Sequence, residues 1–215
     1  IGNSKIGKGF KPKIIAEISA NHNQSLRKAL ELIKKASNNG ADFVKIQSYQ
    51  AENITLNSKK RDFTINDKKS IWYKKKLHNL YKIGETPFIW HKKLFKFAKQ
   101  HKILLFASVF DEKTVDFLEI FNPPAYKVAS FESNHYPLIK RIIKTKKPIL
   151  ISTGLNTLKE INDLVKFLSK NRCKNYALLK CTSKYPAEFQ DLNLNTIKDM
   201  KKKFNCEIGY SDHSI

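Results

Sequence analysis

The stretch Ala125–Glu132, AYKVASFE, reads as a short buried strand that carries Lys127 among apolar neighbours and ends on Ser130 and Glu132. Burying an amine beside Tyr126 and Val128 is costly unless an anion compensates it. A counterpart lies upstream in Asp42–Tyr49, DFVKIQSY, where the two-residue side-chain period puts Lys45 and Gln47 on one face. Two lysines inside two strands imply an anion site built into a sheet.

Around these stretches, short apolar runs alternate with amphipathic ones. Strands are expected at Lys13–Ser19, Asp42–Tyr49, Ile103–Ser108, Ala125–Ala129, Pro148–Ser152, Tyr176–Cys181 and Cys206–Tyr210. Helices are expected over Leu26–Asn38, Pro87–Gln100, Glu112–Phe121, Tyr136–Thr145, Leu158–Ser169 and Leu194–Phe204. Residues 1–12 have no period and read as a leader or a capping hairpin. Residues 50–85 interrupt the alternation; a short helix is expected over Ile71–Ile83, within a long insertion of the kind that covers a site.

Strands this continuously apolar are parallel and covered on both faces. Doubly wound sheets and (β/α)8 barrels both alternate in this way, so the polar residues decide. Glu17, Lys45, Ser108, Lys127, Ser152, Lys180 and Asp212 fall in or just after strands, near their C-terminal ends. Barrels assemble their sites from many strand ends. A doubly wound sheet uses one switch point, and no glycine-rich fingerprint follows the first strand. The expectation is an α/β chain forming one domain over residues 1–215, a (β/α)8 TIM barrel with strand eight falling after the seventh.

Composition narrows the partners. The formal charge is +22, carried by 37 lysines against four arginines. Bidentate phosphate and base clamps favour arginine, so the surplus reads as a solvated surface that draws in a small anionic substrate. A basic nucleic-acid-binding protein is the rival from another class. No signal peptide and no run of eighteen apolar residues is present, so neither a membrane nor secretion is expected, and the cytoplasm is the expected location. Cys173, Cys181 and Cys206 read as reduced thiols, Cys181 as a small buried apolar group.

Several side chains carry candidate chemistry. Glu17, ahead of the loop residues Asn21, His22 and Asn23, is either an inward carboxylate that serves a sugar hydroxyl or moves a proton, or part of a loop that caps a helix. Lys45 and Lys127 would hold a phosphate or carboxylate; the alternatives are structural ion pairs with Glu17 and Glu132, or one lysine acting as a Schiff-base nucleophile. Ser108, Ser130 and Ser152 end strands, and Ser152-Thr153-Gly154 precedes a helix whose free amides suit phosphate oxygens. Asn156 caps that helix or touches ligand. Asp212 and His213 can orient one another or ligate a divalent ion. His78, His91, His101 and His135 read as surface or packing groups, and Trp90 with His91 as packing. Tyr185 is placed to line the sugar side.

The segments AEISANHN at 16–23, DFVKIQSY at 42–49, LYKIGETPFIWH at 80–91, FASVFDEKTVDFLE at 106–119, PAYKVASFE at 124–132, KPILISTG at 147–154, LLKCTSKYPAEFQDLNL at 178–194 and GYSDHS at 209–214 together resemble the sialic acid synthase family, most closely its pseudaminic acid branch. The resemblance implies condensation of phosphoenolpyruvate with an amino-sugar aldehyde, giving a nine-carbon 2-keto acid and phosphate. In that branch the sugar is 2,4-diacetamido-2,4,6-trideoxy-beta-L-altropyranose; N-acetylneuraminate and legionaminic acid synthases are the neighbouring alternatives. It also implies a divalent cofactor ion (Mn2+ or Mg2+), a homodimer in the full-length form, strand eight, and a C-terminal antifreeze-like domain outside these residues.

Residue by residue, the resemblance gives phosphoenolpyruvate to Lys45, Ser108, Lys127, Ser130 and Ser152, the sugar to Glu17 and Glu132, and the metal to His213. Glu17, Lys127, Glu132 and His213 are thereby the candidate catalytic set. Gln47, Asn156, Lys180, Tyr185 and Asp212 complete the candidate substrate contacts. Two departures stand out. Lys180 occupies the strand-six segment in which the family carries a histidine metal ligand. ASVF at 107–110 replaces the branch's Ser-Ser-Pro-Phe, for which local loop changes are expected.

Overall fold

The computed structural model describes residues 1–68 and 70–214, so Lys69 and Ile215, the latter closing the expected 1–215 domain, lie outside the described residues. The chain resolves into two compact units.

The N-terminal unit, Lys13–Asn122, holds strands β1 (Ile15–Glu17), β2 (Phe43–Ser48) and β3 (Leu104–Val109) with helices α1 (Leu26–Asn38), α2 (Ala51–Ile54), α3 (Leu77–Gly84), α4 (His91–Gln100) and α5 (Glu112–Glu119). The strands pair in chain order, all parallel. Local chemistry sets the helix ends. Ser25 caps α1 by accepting from Lys28 N, and Asp111 caps α5 by accepting from Thr114 N at 2.8 Å. Gly40, at φ 82°, turns the chain out of α1 into β2 where a Cβ would be strained. The core is Phe43, Val44, Ile46, Leu105 and Phe106 under Ala29, Ile33 and Leu94.

The C-terminal unit joins residues 1–12 to residues 123–215 and holds β4 (Tyr126–Val128), β5 (Ile149–Ser152), β6 (Tyr176–Cys181) and β7 (Glu207–Ser211), with α6 (Tyr136–Lys144), α7 (Leu158–Lys170) and α8 (Asn195–Lys203). These strands too are parallel and in chain order. A reciprocal capping box of Thr157 and Glu160 starts α7. Tyr126, Val128, Ile149, Ile151 and Leu178 are fully buried, with Leu138, Ile139, Ile142 and Leu168 from the helices. The strand order reverses in neither unit, as it would at the switch point of a doubly wound sheet. The fold is α/β of the (β/α)8-barrel type, with seven strands among the described residues.

Some expectations are corrected. The first strand is shorter than Lys13–Ser19, because Ser19 turns into left-handed backbone at φ 47°. The helix expected over Ile71–Ile83 is α3, and it begins only at Leu77. Ahead of it the chain doubles back, with Lys74 N donating to Ile65 O and Ile65 N to Lys75 O. Ile71 is 85 % exposed, so there is no buried face to offset the cost of nucleating a helix there. The short α2 falls inside the region expected to be irregular. Val109 stands where the branch has proline and lets β3 continue one residue past Ser108, pairing with Ser48.

Candidate functional site

Strand register decides which side chains share a face. In the C-terminal unit Lys127 pairs with Leu150, Ser152 with Leu179 and Cys181 with Ser211. With the two-residue period, Lys127, Ser152 and Cys181 lie on one face. Lys127 is 5 % exposed; its ammonium donates to Ser152 Oγ at 2.6 Å and to Val128 O at 2.8 Å. Burial pulls its pKa down to about 8, against weaker support from Cys181 and Glu132. Ser130 opens the short turn after β4, and its Oγ accepts from Gly154 N at 3.0 Å. Gly154 is needed there, since a Cβ would lie 2.8 Å from Cys181 O.

Glu132 ends the same turn. Its Oε2 is buried with no hydrogen-bond partner, and burial pushes the carboxyl up to about 7, its backbone hydrogen bond and Lys127 opposing. The ion pair considered between Lys127 and Glu132 is not what Lys127 uses; it bonds to Ser152 and Val128 instead. A buried acceptor left open beside an ammonium is a place for a ligand donor.

His213 follows β7. Its Nδ1 lies 2.8 Å from Thr182 O and 3.9 Å from Cys181 Sγ. A carbonyl only accepts, so Nδ1 carries a proton and Nε2 is left to bind. The Cys181 contact raises the imidazole's pKa, burial opposing and the Thr182 carbonyl adding to it. Burial alone would raise the Cys181 thiol, but the His213 hydrogen bond and charge, with hydrogen bonds from Ser130 and Ser183, bring it to about 7. Cys181 is therefore no inert apolar group, which corrects the sequence reading. Tyr185 lays its ring on His213, centroids 4.1 Å apart, and burial raises its hydroxyl to about 12.

Three expected roles fare differently. Asp212 does not orient His213: Oδ1 accepts from Ser214 N at 2.9 Å and from Tyr210 OH at 3.1 Å. Asn156 Oδ1 accepts from Ser133 Oγ at 2.8 Å, tying the loop after β5 to the turn after β4. Lys180 pairs in register with Tyr210, on the face opposite Cys181, and lines a cavity with Ile161 and Met200.

The N-terminal unit carries a second cluster. Glu17 pairs in register with Lys45, and Gln47 with Ser108, all on one face. Lys45 is ion-paired to Glu17 and donates to Ser108 Oγ at 3.1 Å. The structural ion pair considered for Lys45 therefore exists. Glu17 is exposed rather than directed into a core, and its Oε1 accepts from Ser19 N. Buried His91 bonds Ser48 Oγ at 2.7 Å and stacks among Phe88, Phe117 and Phe121, as expected of a packing group; burial lowers it to about 4. Trp90 packs edge-on against His22.

The implied divalent ion can be tested against these donors. Among the described residues no group of three or more His, Cys, Asp and Glu is arranged around an ion position. His213 alone fits as one ligand, with its tautomer fixed by Thr182 O and Nε2 open. A hard ion that takes substrate and water oxygens for the rest of its shell is compatible with that.

Residues 32–215 match the NeuB family model. The chain is 45% identical over 215 residues to the pseudaminic acid synthase of Campylobacter jejuni subsp. jejuni serotype O:2, covering all of this chain and 62% of that protein. It is 38% identical to an N,N'-diacetyllegionaminic acid synthase of the same organism, covering 95% of this chain and 61% of the relative. The chain thus spans under two thirds of the length of these curated relatives. Among solved structures, the N-acetylneuraminic acid (sialic acid) synthetase of Leptospira borgpetersenii serovar Hardjo-bovis, in complex with citrate, superposes with a TM-score of 0.87. The identity is 29%, over 100% of this chain and 69% of the other.

Proposed function

The chain belongs to the NeuB family, and on that premise we propose that it is the phosphoenolpyruvate-condensing part of a nonulosonic acid synthase, specifically one that makes pseudaminic acid. The observation that carries this reading is the buried Lys127 ammonium, bonded to Ser152 with Ser130 alongside. Low local dielectric strengthens its pull on a phosphate or carboxylate. The higher identity to the pseudaminic than to the legionaminic synthase supports the finer assignment.

In this reading Lys127, Ser130 and Ser152 bind phosphoenolpyruvate and hold its charge. Lys45 and Ser108 keep the donor-binding role that the resemblance implies for them, Gln47 stays a candidate substrate contact, and Glu17 keeps its role toward the sugar. C3 of phosphoenolpyruvate attacks the sugar's carbonyl carbon, forming the new C–C bond. Water adds at C2, and the tetrahedral intermediate expels phosphate by C–O cleavage. Glu132, which keeps its proton up to about pH 7, hands that proton to the developing sugar alkoxide. Tyr185 covers His213 and presents its exposed edge to the sugar, while Asn156 fixes the loop that carries Gly154. A Mn2+ or Mg2+ ion, held through His213 Nε2, would supply electrophilic pull on the sugar carbonyl. The full-length protein is proposed to act as a homodimer in the cytoplasm.

Product analysis tests the assignment. Full-length protein, phosphoenolpyruvate, Mn2+ and each of three amino sugars, the precursors of pseudaminic, legionaminic and N-acetylneuraminic acids, are combined and the products weighed by mass spectrometry. The altropyranose should give the nine-carbon acid fastest. Faster turnover of another sugar would move the assignment within the class. Salt-dependent polynucleotide binding with no condensation product would favour the nucleic-acid rival.

A further inference from the structure

We propose that the cavity on the helix side of β6, between α7 and α8, is a second binding site, for a small hydroxylated molecule carrying one carboxylate or phosphate. The cavity measures about 490 Å3, enough for a six-carbon sugar acid or sugar phosphate. Lys180 lines it and is 7 % exposed. Its ammonium makes one hydrogen bond, to Thr182 Oγ1 at 2.5 Å, and carries three donors, so an oxyanion has two left to take. An ammonium this buried has no carboxylate within ion-pair distance among the described residues.

The remaining walls suit the rest of such a molecule. α8 contributes Thr196, Asp199 and Lys203, and the loop after β5 contributes Asn156. Asp191 also borders the cavity but is occupied by Lys184 at 2.8 Å. Lys180 and Lys203 therefore outweigh Asp199, and the local balance favours an anion. Thr196, Asn156 and Asp199 offer hydrogen bonds to hydroxyls.

The cavity runs from the α7 and α8 side chains to the strand ends, where Gly154 and Cys181 also border it, and Lys180 is wired toward His213. Lys180 donates to Thr182 Oγ1, and the Thr182 carbonyl accepts from His213 Nδ1. A ligand that draws Lys180 off Thr182 would loosen the anchor of His213, so occupancy would modulate His213.

Calorimetric titration of the full-length protein with gluconate, glucose 6-phosphate and neutral glucose tests the proposal. Titrations are repeated in Lys127→Met, which silences the other anion site. Gluconate or glucose 6-phosphate should bind at least tenfold more tightly than glucose, equally in wild type and Lys127→Met; which of the two is tighter separates carboxylate from phosphate. Lys180→Met should weaken that binding about tenfold or more, and Lys180→Arg should retain most of it. Thr196→Trp, which crowds the exposed rim of the cavity without touching a buried charge, should weaken it at least tenfold even if Lys180→Met fails to fold. Equal affinity for glucose, loss of binding in Lys127→Met, or binding unchanged by Thr196→Trp would overturn the site. None of these titrations depends on turnover, so the synthase reading stands or falls separately.

Discussion

Lys127 Nζ and Ser152 Oγ lie 2.6 Å apart across the β4–β5 pair, an ammonium 5 % exposed and held by a neutral hydroxyl and a carbonyl in place of a counter-charge. Such a group costs stability when empty and binds an anion strongly when filled.

Replacing Lys127 by methionine removes the charge and keeps the stem's volume. Phosphoenolpyruvate affinity should fall roughly 10- to 100-fold, the loss of a charged hydrogen bond worth about 1.5–3 kcal/mol. The melting temperature should stay level or rise. A variant that melts lower and binds phosphoenolpyruvate unchanged would make Lys127 a structural residue.

Glu132 gives a pH signature of its own. Its folded pKa, about 7, lies above the ordinary 4.5, so the folded state binds more protons between those values. Its contribution to stability is fully present below about pH 4.5 and is lost as pH rises to 7. Glu132→Gln should flatten that part of a denaturation-versus-pH series and be the more stable protein at pH 8. An unchanged slope would mean that the carboxyl finds a partner in solution.

His91 has the opposite sign. Burial lowers it to about 4 from 6.5, so the unfolded chain takes up a proton first, and stability falls as pH drops from about 6.5 to 4. His91→Phe should remove this acid sensitivity at a cost of about 1–3 kcal/mol, since Ser48 Oγ is left unpaired in the core. Retention of the full acid slope in the variant would point to another group.

For Lys45 and Glu17, partial exposure limits what the pair adds to stability. Glu17→Gln should shift unfolding by less than about 1 kcal/mol. Lys45→Met should weaken phosphoenolpyruvate binding more than Glu17→Gln does. Equal losses of donor binding in both variants would argue that Glu17 acts on the donor and not on the sugar.

Much of this was legible beforehand because strand interiors here are apolar and short, so Lys45 and Lys127 stood out by residue type alone. The seven strands and six of the helices follow from period and from stop signals such as Asn39-Gly40, whereas the cap of α7 is Thr157 and not the expected Asn156. Facing was harder. Lys180 and Cys181 are adjacent, so one strand period forces them onto opposite faces, and only the β6–β7 register says which faces His213. The Cys181–His213 contact joins residues 32 apart and leaves no local pattern. Asp212 was paired with His213 by adjacency, whereas the backbone turns it to Ser214 and Tyr210. Ile71–Tyr73 carry apolar residues that suit a helix stripe but have nothing to pack on.

Phosphate release by the full-length protein, followed continuously with phosphoenolpyruvate, the altropyranose precursor and Mn2+, tests the central assignment most directly. The expected result is release of one phosphate per nine-carbon acid formed, strictly dependent on the sugar and reduced at least tenfold in Lys127→Met. A folded, metal-supplied protein that releases no phosphate with any of the amino sugars would contradict it.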